Sequence, residues 1–283
     1  MSIRCDSHVH VVGAVERYPQ VVNRTYLAGV ASLDDLERLA AARNISRFVI
    51  VQPSFYGTDN SLLLETLDRL GDRGRGVAVV DQTVSSDVLA DFHRRGVRGL
   101  RINLYTPLGA KAPLDVRFKA SEAQARAPNW HVEVIAPLAM IAENVAMLAA
   151  AEVPVVIDHY GLYAGFTPAQ SEGRALLDLL RMPHVWIKLS APYRSSKDAL
   201  ATRPDLGWLA AILSTAADRC VWGSDWPHTP VHAAHAGGAV ISPYRTLNYD
   251  NIVDDFVASV GSAELSERIM SDNPARLYEF TGS

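Results

Sequence analysis

The stretch Ile3-Arg4-Cys5-Asp6-Ser7-His8-Val9-His10-Val11-Val12-Gly13 decides how a parallel sheet is arranged in this chain. It reads as a strand over 3–10 that ends in two histidines. A dinucleotide-binding sheet would place a glycine-rich G-x-G-x-x-G turn directly after its first strand, and none follows here. Seven more short, β-branched runs come later, at 47–52, 76–80, 99–104, 131–135, 153–159, 185–190 and 220–224. Amphipathic stretches separate them. One starts at Ser32, a capping residue followed by Asp34 and Asp35; others cover 61–70, 85–95, 137–151, 168–181, 206–217, 263–270 and 273–278. Strand–helix alternation means a parallel sheet buried on both faces. Eight units in 283 residues predict an α/β protein, a closed (β/α)8 TIM barrel formed as one domain over 1–283, since such barrels take roughly 250 residues.

Composition agrees. Apolar residues make up 48% and charged residues 20%, enough for a sizeable core. The formal net charge is -4 and no basic block occurs, so nothing suggests a nucleic-acid or anionic-membrane surface. The most apolar stretch, 135–157, is interrupted by Glu143, Asn144, Glu152 and Pro154 and makes a poor membrane span. With only Cys5 and Cys220, and no signal-peptide pattern at the start, the expectation is a cytoplasmic protein whose two thiols are reduced and buried.

In such barrels the chemistry sits at the C-terminal ends of the strands. Polar residues collect there. The first strand ends in His8 and His10, the second in Gln52-Pro53-Ser54-Phe55-Tyr56, and the fourth carries Arg101 and Asn103. The sixth ends in Asp158-His159, the seventh in Lys188-Leu189-Ser190 before Tyr193-Arg194, and the eighth in Ser224-Asp225-Trp226-Pro227-His228. Side chains alternate with period two, so His8 and His10 share a face, Asp6 lies one step below them, and Asp158 points away from His159. The first and eighth strands are neighbours in a closed barrel, so His8, His10 and Asp225 should converge. Lys188 is either a catalytic amine or an interior lysine paired with Asp158 or Asp225.

These residues resemble the amidohydrolase superfamily in the runs DSHVH, VIDHYG, KLSAPYR, WGSDWPH and DNPARLY. VQPSFYGTDN and RGVRGLRINL are similar to the group of 2-pyrone-4,6-dicarboxylate lactonase and its relatives. The resemblance implies a hydrolase that opens a small carboxylated lactone. On the matching positions it implies Asp225 as the base, His8, His10 and His159 as the groups polarising the carbonyl, and Arg101 and Arg194 as carboxylate anchors. Ser54 and Tyr56 would line the pocket, with Asn103 and His228 also near the substrate. The chemistry is reasonable on its own terms, since ester hydrolysis needs a deprotonated water and stabilisation of a developing oxyanion.

The chain departs from this pattern in two places. Metal-dependent members carry a histidine or lysine ligand on the fifth strand, where Ile135 stands here. His8, His10 and Asp225 would be the ligands if one divalent metal such as zinc were bound, because three protein ligands and a water suffice; the expectation is a site without a metal. The anion clamps are also fewer: Leu104-Tyr105-Thr106-Pro107 and Gly161-Leu162 occupy positions where the dicarboxylate lactonase has arginines. The expected substrate therefore carries one carboxylate on a more apolar or hydroxylated body. A lactone isomerase, or a metal-dependent decarboxylase or other lyase of the same superfamily, is the alternative activity.

Overall fold

Apolar runs of three to seven residues form eight parallel strands in the computed structural model, which describes residues 3–105, 112–230 and 240–281. They are β1 (Arg4–Val9), β2 (Ile45–Val51), β3 (Gly74–Ala78), β4 (Val97–Asn103), β5 (His131–Ile135), β6 (Val155–Ile157), β7 (Val185–Ser190) and β8 (Cys220–Gly223). Each pairs with the next in sequence order, and helices pack between them: a (β/α)8 TIM barrel.

Closure happens at the candidate site. The Asp225 backbone N–H donates to the His8 carbonyl (2.9 Å) and the His10 N–H to the Trp226 carbonyl (2.8 Å), so β1 meets the residues just past β8. Gly223 permits the approach, because a Cβ there would lie 2.7 Å from both the backbone nitrogen and the Cβ of His8.

Two apolar layers hold the barrel. One lies between sheet and helices and includes Phe48, Ile50, Ile102, Val134, Ile187 and Trp222. The other alternates with it along the strands and fills the barrel's lower interior: Cys5, Val49, Val51, Val77, Val156, Trp186 and Val221, closed by Tyr278 and Phe280 from the C-terminal segment. Both cysteines are free and buried. No helix among the described residues is long and apolar enough to cross a membrane.

The elements differ from the sequence reading in identifiable ways. The cap at Ser32 forms as expected, accepting from the Asp35 N–H at 3.1 Å. The helix expected over 137–151 is two pieces, Leu138–Glu143 and Val145–Ala149, broken at Asn144, whose side chain donates to the Met140 carbonyl (2.8 Å). Helices Leu114–Arg126 and Tyr249–Val260 stand beyond the sequence reading, although the second has its signals: Asn248 accepts from the Asn251 N–H as a cap, and Gly261 ends the helix at φ 70°. The first buries only Leu114, Phe118 and Ala125 over its length. A two-residue pairing of Leu27–Ala28 with Ile241–Ser242 is too short to carry a periodicity.

Candidate active site

The β1 strand does not alternate throughout. Asp6 pairs with Phe48 and Val9 with Ile50, three residues against two, and this bulge resets the faces. Asp6 consequently leaves the histidine face. Its carboxylate accepts from the Ser224 N–H (2.8 Å), the His8 N–H (3.3 Å) and the Tyr249 hydroxyl (2.9 Å), locking β1 to the end of β8 and to a helix behind it. His8 and His10 both point inward, their rings edge to face with centroids 5.0 Å apart.

Asp225 sits between them. Its Oδ1 is 3.5 Å from His8 Nε2 and 3.6 Å from His10 Nε2. Its Oδ2 accepts from Tyr193 (2.5 Å) and from Arg194 Nε and Nη2 (3.0 and 2.7 Å). Burial alone would raise this carboxyl, but the Arg194 guanidinium and the neighbouring histidines hold it well below the usual carboxylate range. Arg194 also donates to Thr229 Oγ1 (2.8 Å), so much of its donor fork serves the protein itself.

His159 arrives by a break in the strand. It adopts a left-handed backbone (φ 50°), as do Asp225 (φ 59°) and His228 (φ 67°), conformations costing of order 1–3 kcal/mol each and concentrated here at the barrel mouth. Because β6 stops at Ile157, Asp158 and His159 both reach the interior, where strict alternation separates them. The His159 ring lies 4.7 Å from that of His8, and its Nδ1 bonds Ser190 Oγ (2.8 Å). Burial keeps both His8 and His159 well below the usual imidazole value, hence neutral near pH 7.

Beneath the histidines lies a fully buried charged layer. Lys188 is ion-paired with Glu133, and its Nζ lies 3.2 Å from His8 Nδ1 and 3.7 Å from Asp158 Oδ1. Lys188 is thus an interior lysine, paired chiefly with Glu133. Arg101 reaches the same layer, with Nη2 3.5 Å from Asp158 and Nε 3.6 Å from Glu133, while Nη1 donates to the Gln52 carbonyl (3.0 Å). Glu133 was the missed member of this layer. The signal was present: it is the one charged residue in the apolar strand His131-Val132-Glu133-Val134-Ile135, on the same face as Ile135.

The cleft above is lined by His10, Ser54, Arg101, Asn103, Ile135 and Arg194, together with Tyr26, Pro53, Tyr105 and Thr229. Ile135 occupies the fifth-strand place over the cleft, so the structure puts no ligand there. Tyr56 is brought elsewhere: it is buried beside Phe55, and its hydroxyl accepts from the Gly13 N–H (3.1 Å). His228 is buried next to Tyr193, on the wall of a neighbouring cavity bounded by Tyr244 and Arg245. His232 and His235, at helical spacing in the sequence, lie outside the described residues.

Among the described residues two triads have donor atoms within 4.8 Å of one another, His8–His10–Asp225 and His8–Asp158–His159. That spacing suits a small divalent ion. The chemistry of the donors suits it less. Asp225 already carries a guanidinium, and the Lys188 ammonium lies against His8 Nδ1, where a metal-binding imidazole would present an N–H to an acceptor.

Residues 5–280 match the family model described as Amidohydrolase. The chain belongs to the amidohydrolase family. It is 30% identical over 279 residues to 4-sulfomuconolactone hydrolase of Rhizobium radiobacter, covering 96% of this chain and 89% of that one. It is 30% identical over 284 residues to a 2-pyrone-4,6-dicarboxylate hydrolase of Comamonas testosteroni, with the same coverage. Its structure superimposes with a TM-score of 0.83, over the full length of both chains and at 30% identity, on the crystal structure of a Pseudomonas putida protein assigned as a 2-pyrone-4,6-dicarboxylic acid hydrolase. Membership of this family, with hydrolases among the relatives, makes this amidohydrolase an enzyme.

Proposed function

We propose that this amidohydrolase opens the cyclic ester of a small carboxylated lactone with water activated by Asp225. The observation that carries the reading is the meeting of Asp225 Oδ1 with His8 Nε2 and His10 Nε2 at 3.5 and 3.6 Å, at the mouth of the barrel. Asp225 Oδ1 takes the proton as the water oxygen attacks the lactone carbonyl. His8 and His159 face the carbonyl with N–H donors and stabilise the oxyanion that forms; as it collapses the ring C–O bond breaks, and the leaving oxygen takes the proton back from Asp225.

His10 receives a different role from the one implied by resemblance alone. Its Nδ1 is 2.7 Å from the Val51 carbonyl, which can only accept, so Nδ1 carries a proton, and with that single proton on the ring Nε2 is bare. His10 therefore orients the water by accepting from it, and the two other imidazoles polarise the carbonyl.

The charge of the site favours one substrate carboxylate. Three buried cations, Arg101, Lys188 and Arg194, face three buried carboxylates, Glu133, Asp158 and Asp225, with the histidines His8 and His159 neutral. With those charges already balanced, Arg101 and Arg194 are the two cations lining the cleft that one substrate carboxylate could share, and a second carboxylate would find no further cation among the lining residues. Tyr26, Ser54, Asn103, Tyr105 and Thr229 offer hydroxyl and amide partners to a hydroxylated ring.

The same donor chemistry favours hydrolysis without a metal. Chelated protein that keeps full turnover supports this, and activity lost on chelation and restored by zinc overturns it. For the substrate, a panel of monocarboxylated lactones is incubated with the enzyme beside 2-pyrone-4,6-dicarboxylate, and products are weighed by mass spectrometry. Gain of one water marks hydrolysis, an unchanged mass marks isomerisation, and fast turnover of the dicarboxylate refutes the single-carboxylate reading.

A further inference from the structure

Lys188 is not among the residues lining the cleft, yet it borders His8 on the side away from Asp225. It is 0% exposed. An ammonium has three N–H donors, and three acceptors surround this one: the Glu133 carboxylate in close contact, His8 Nδ1 at 3.2 Å and Asp158 Oδ1 at 3.7 Å. Two carboxylates could compete for His8 Nδ1 if that nitrogen carried a proton. Asp158 Oδ1 lies 3.4 Å away but off the line such an N–H needs, and Glu133 Oε1 is 3.9 Å away. Neither Asp158 oxygen, nor Glu133 Oε1, takes a hydrogen bond among the described residues.

We infer that Lys188 is a positioning residue: its ammonium donates to His8 Nδ1 and so fixes the His8 proton on Nε2, the nitrogen that faces Asp225 and the cleft. Lys188 cannot accept, so the His8 nitrogen it meets must. His8 is then a donor toward the substrate carbonyl. Without the ammonium the preference reverses, because Nδ1–H would turn to Asp158 or Glu133 and Nε2 would present a lone pair to a forming oxyanion. Glu133 and Asp158 hold the ammonium in place, which accounts for a buried ion pair below the reacting atoms. The consequence for turnover rests on the lactone hydrolase reading; the tautomer does not.

The test begins with the unaltered protein labelled with 15N-histidine. Long-range 1H–15N correlation reports which ring nitrogen of His8 is protonated, with the His8→Gln protein identifying its signals. The expected form has the proton on Nε2. Lys188→Met alone would leave the two buried carboxylates Glu133 and Asp158 to share the single cation Arg101, so the variant to compare is Lys188→Met combined with Glu133→Gln, which removes one charge of each sign. There the proton is expected on Nδ1, with kcat down on the order of 100-fold, the loss typical for one oxyanion donor, and KM within about threefold. Wild-type His8 protonated on Nδ1 overturns the inference, as does a double variant that keeps the Nε2 proton, whatever its kcat, or one that switches tautomer and keeps wild-type kcat. If no lactone is turned over, the hydrolase reading fails while the spectrum still decides the tautomer.

Discussion

Arg194 donates twice to a single oxygen of Asp225, Oδ2, and leaves Oδ1 to His8 and His10. The carboxylate is divided: one oxygen is held by Arg194 and Tyr193, the other is turned toward the cleft. Holding by two groups fixes the direction of the working lone pairs to within the small tolerance catalysis demands. Because Tyr193 and Arg194 follow β7 while Asp225 follows β8, the orientation of the base depends on the packing of two adjacent strands.

Asp225→Asn keeps the shape and one acceptor oxygen but removes the base. General-base catalysis contributes roughly 10²–10⁴-fold, so kcat is expected to fall within that range while substrate still binds. Turnover by single-substrate kinetics and binding by calorimetry separate the two effects. Unchanged kcat sinks the assignment of Asp225.

Gly223→Ala probes the closure of the barrel. The added methyl would meet the backbone nitrogen and Cβ of His8 at 2.7 Å, and backbone cannot move aside cheaply. Overpacking of this kind costs about 1–3 kcal/mol. A lower melting temperature together with a reduced kcat is expected, because His8 shifts with β1. A variant as stable and active as the parent would show that β1 has more room than the structure gives it.

Asp6 predicts a signature in stability. Burial raises its carboxyl to about 6 from 3.8, against the hydrogen bonds from Ser224 and Tyr249 that favour ionisation. The sign follows from proton counting. Well below 3.8 the group is protonated in both states and contributes nothing. As pH rises toward 6 the unfolded chain releases its proton first, so stability falls, and the loss is complete above 6. Asp6→Asn lacks that loss and keeps an acceptor for the Ser224 N–H. The difference in unfolding free energy between variant and parent should therefore grow in the variant's favour from pH 4 to 6, by at most about 3 kcal/mol. Urea titrations across that range measure it, and a flat difference contradicts the raised carboxyl.

The barrel was legible because its strands are apolar runs separated by helices with recognisable starts, and because strand order follows sequence order. The convergence of His8, His10 and Asp225 followed from the neighbourhood of the first and last strands. What alternation could not show were the places where it fails. The bulge in β1 sends Asp6 outward, and the left-handed backbone at His159 brings Asp158 and His159 to the same side. Both are local departures from a period-two rule, made by hydrogen bonds between distant segments. Tyr26 and Thr229 reach the cleft from loops without periodicity, where sequence carries no positional signal. Glu133 was readable as a charge in an apolar strand, yet its partner Lys188 lies two strands away and only the structure joins them.

The pH profiles offer a test of whether Arg194 serves two masters. In the free enzyme its charge keeps Asp225 ionised far into the acid range, with Tyr193, His8, His10 and His159 as the other groups around that carboxylate. So low a basicity suits permanent ionisation but makes a weak proton acceptor. A substrate carboxylate that also engages Arg194 would draw part of the guanidinium's charge from Oδ2, and Asp225 would then become more basic in the complex. Because kcat/KM reports the free enzyme and kcat the complex, the acid limb of kcat should lie at higher pH than that of kcat/KM. Arg194→Met removes the guanidinium from both states, so both limbs should move upward and coincide, with KM raised. Neither profile should show a limb near 6.5 from His8 or His159, since burial keeps both neutral there. Coincident limbs in the parent enzyme would assign Arg194 to Asp225 alone and leave Arg101 as the anchor for the substrate carboxylate.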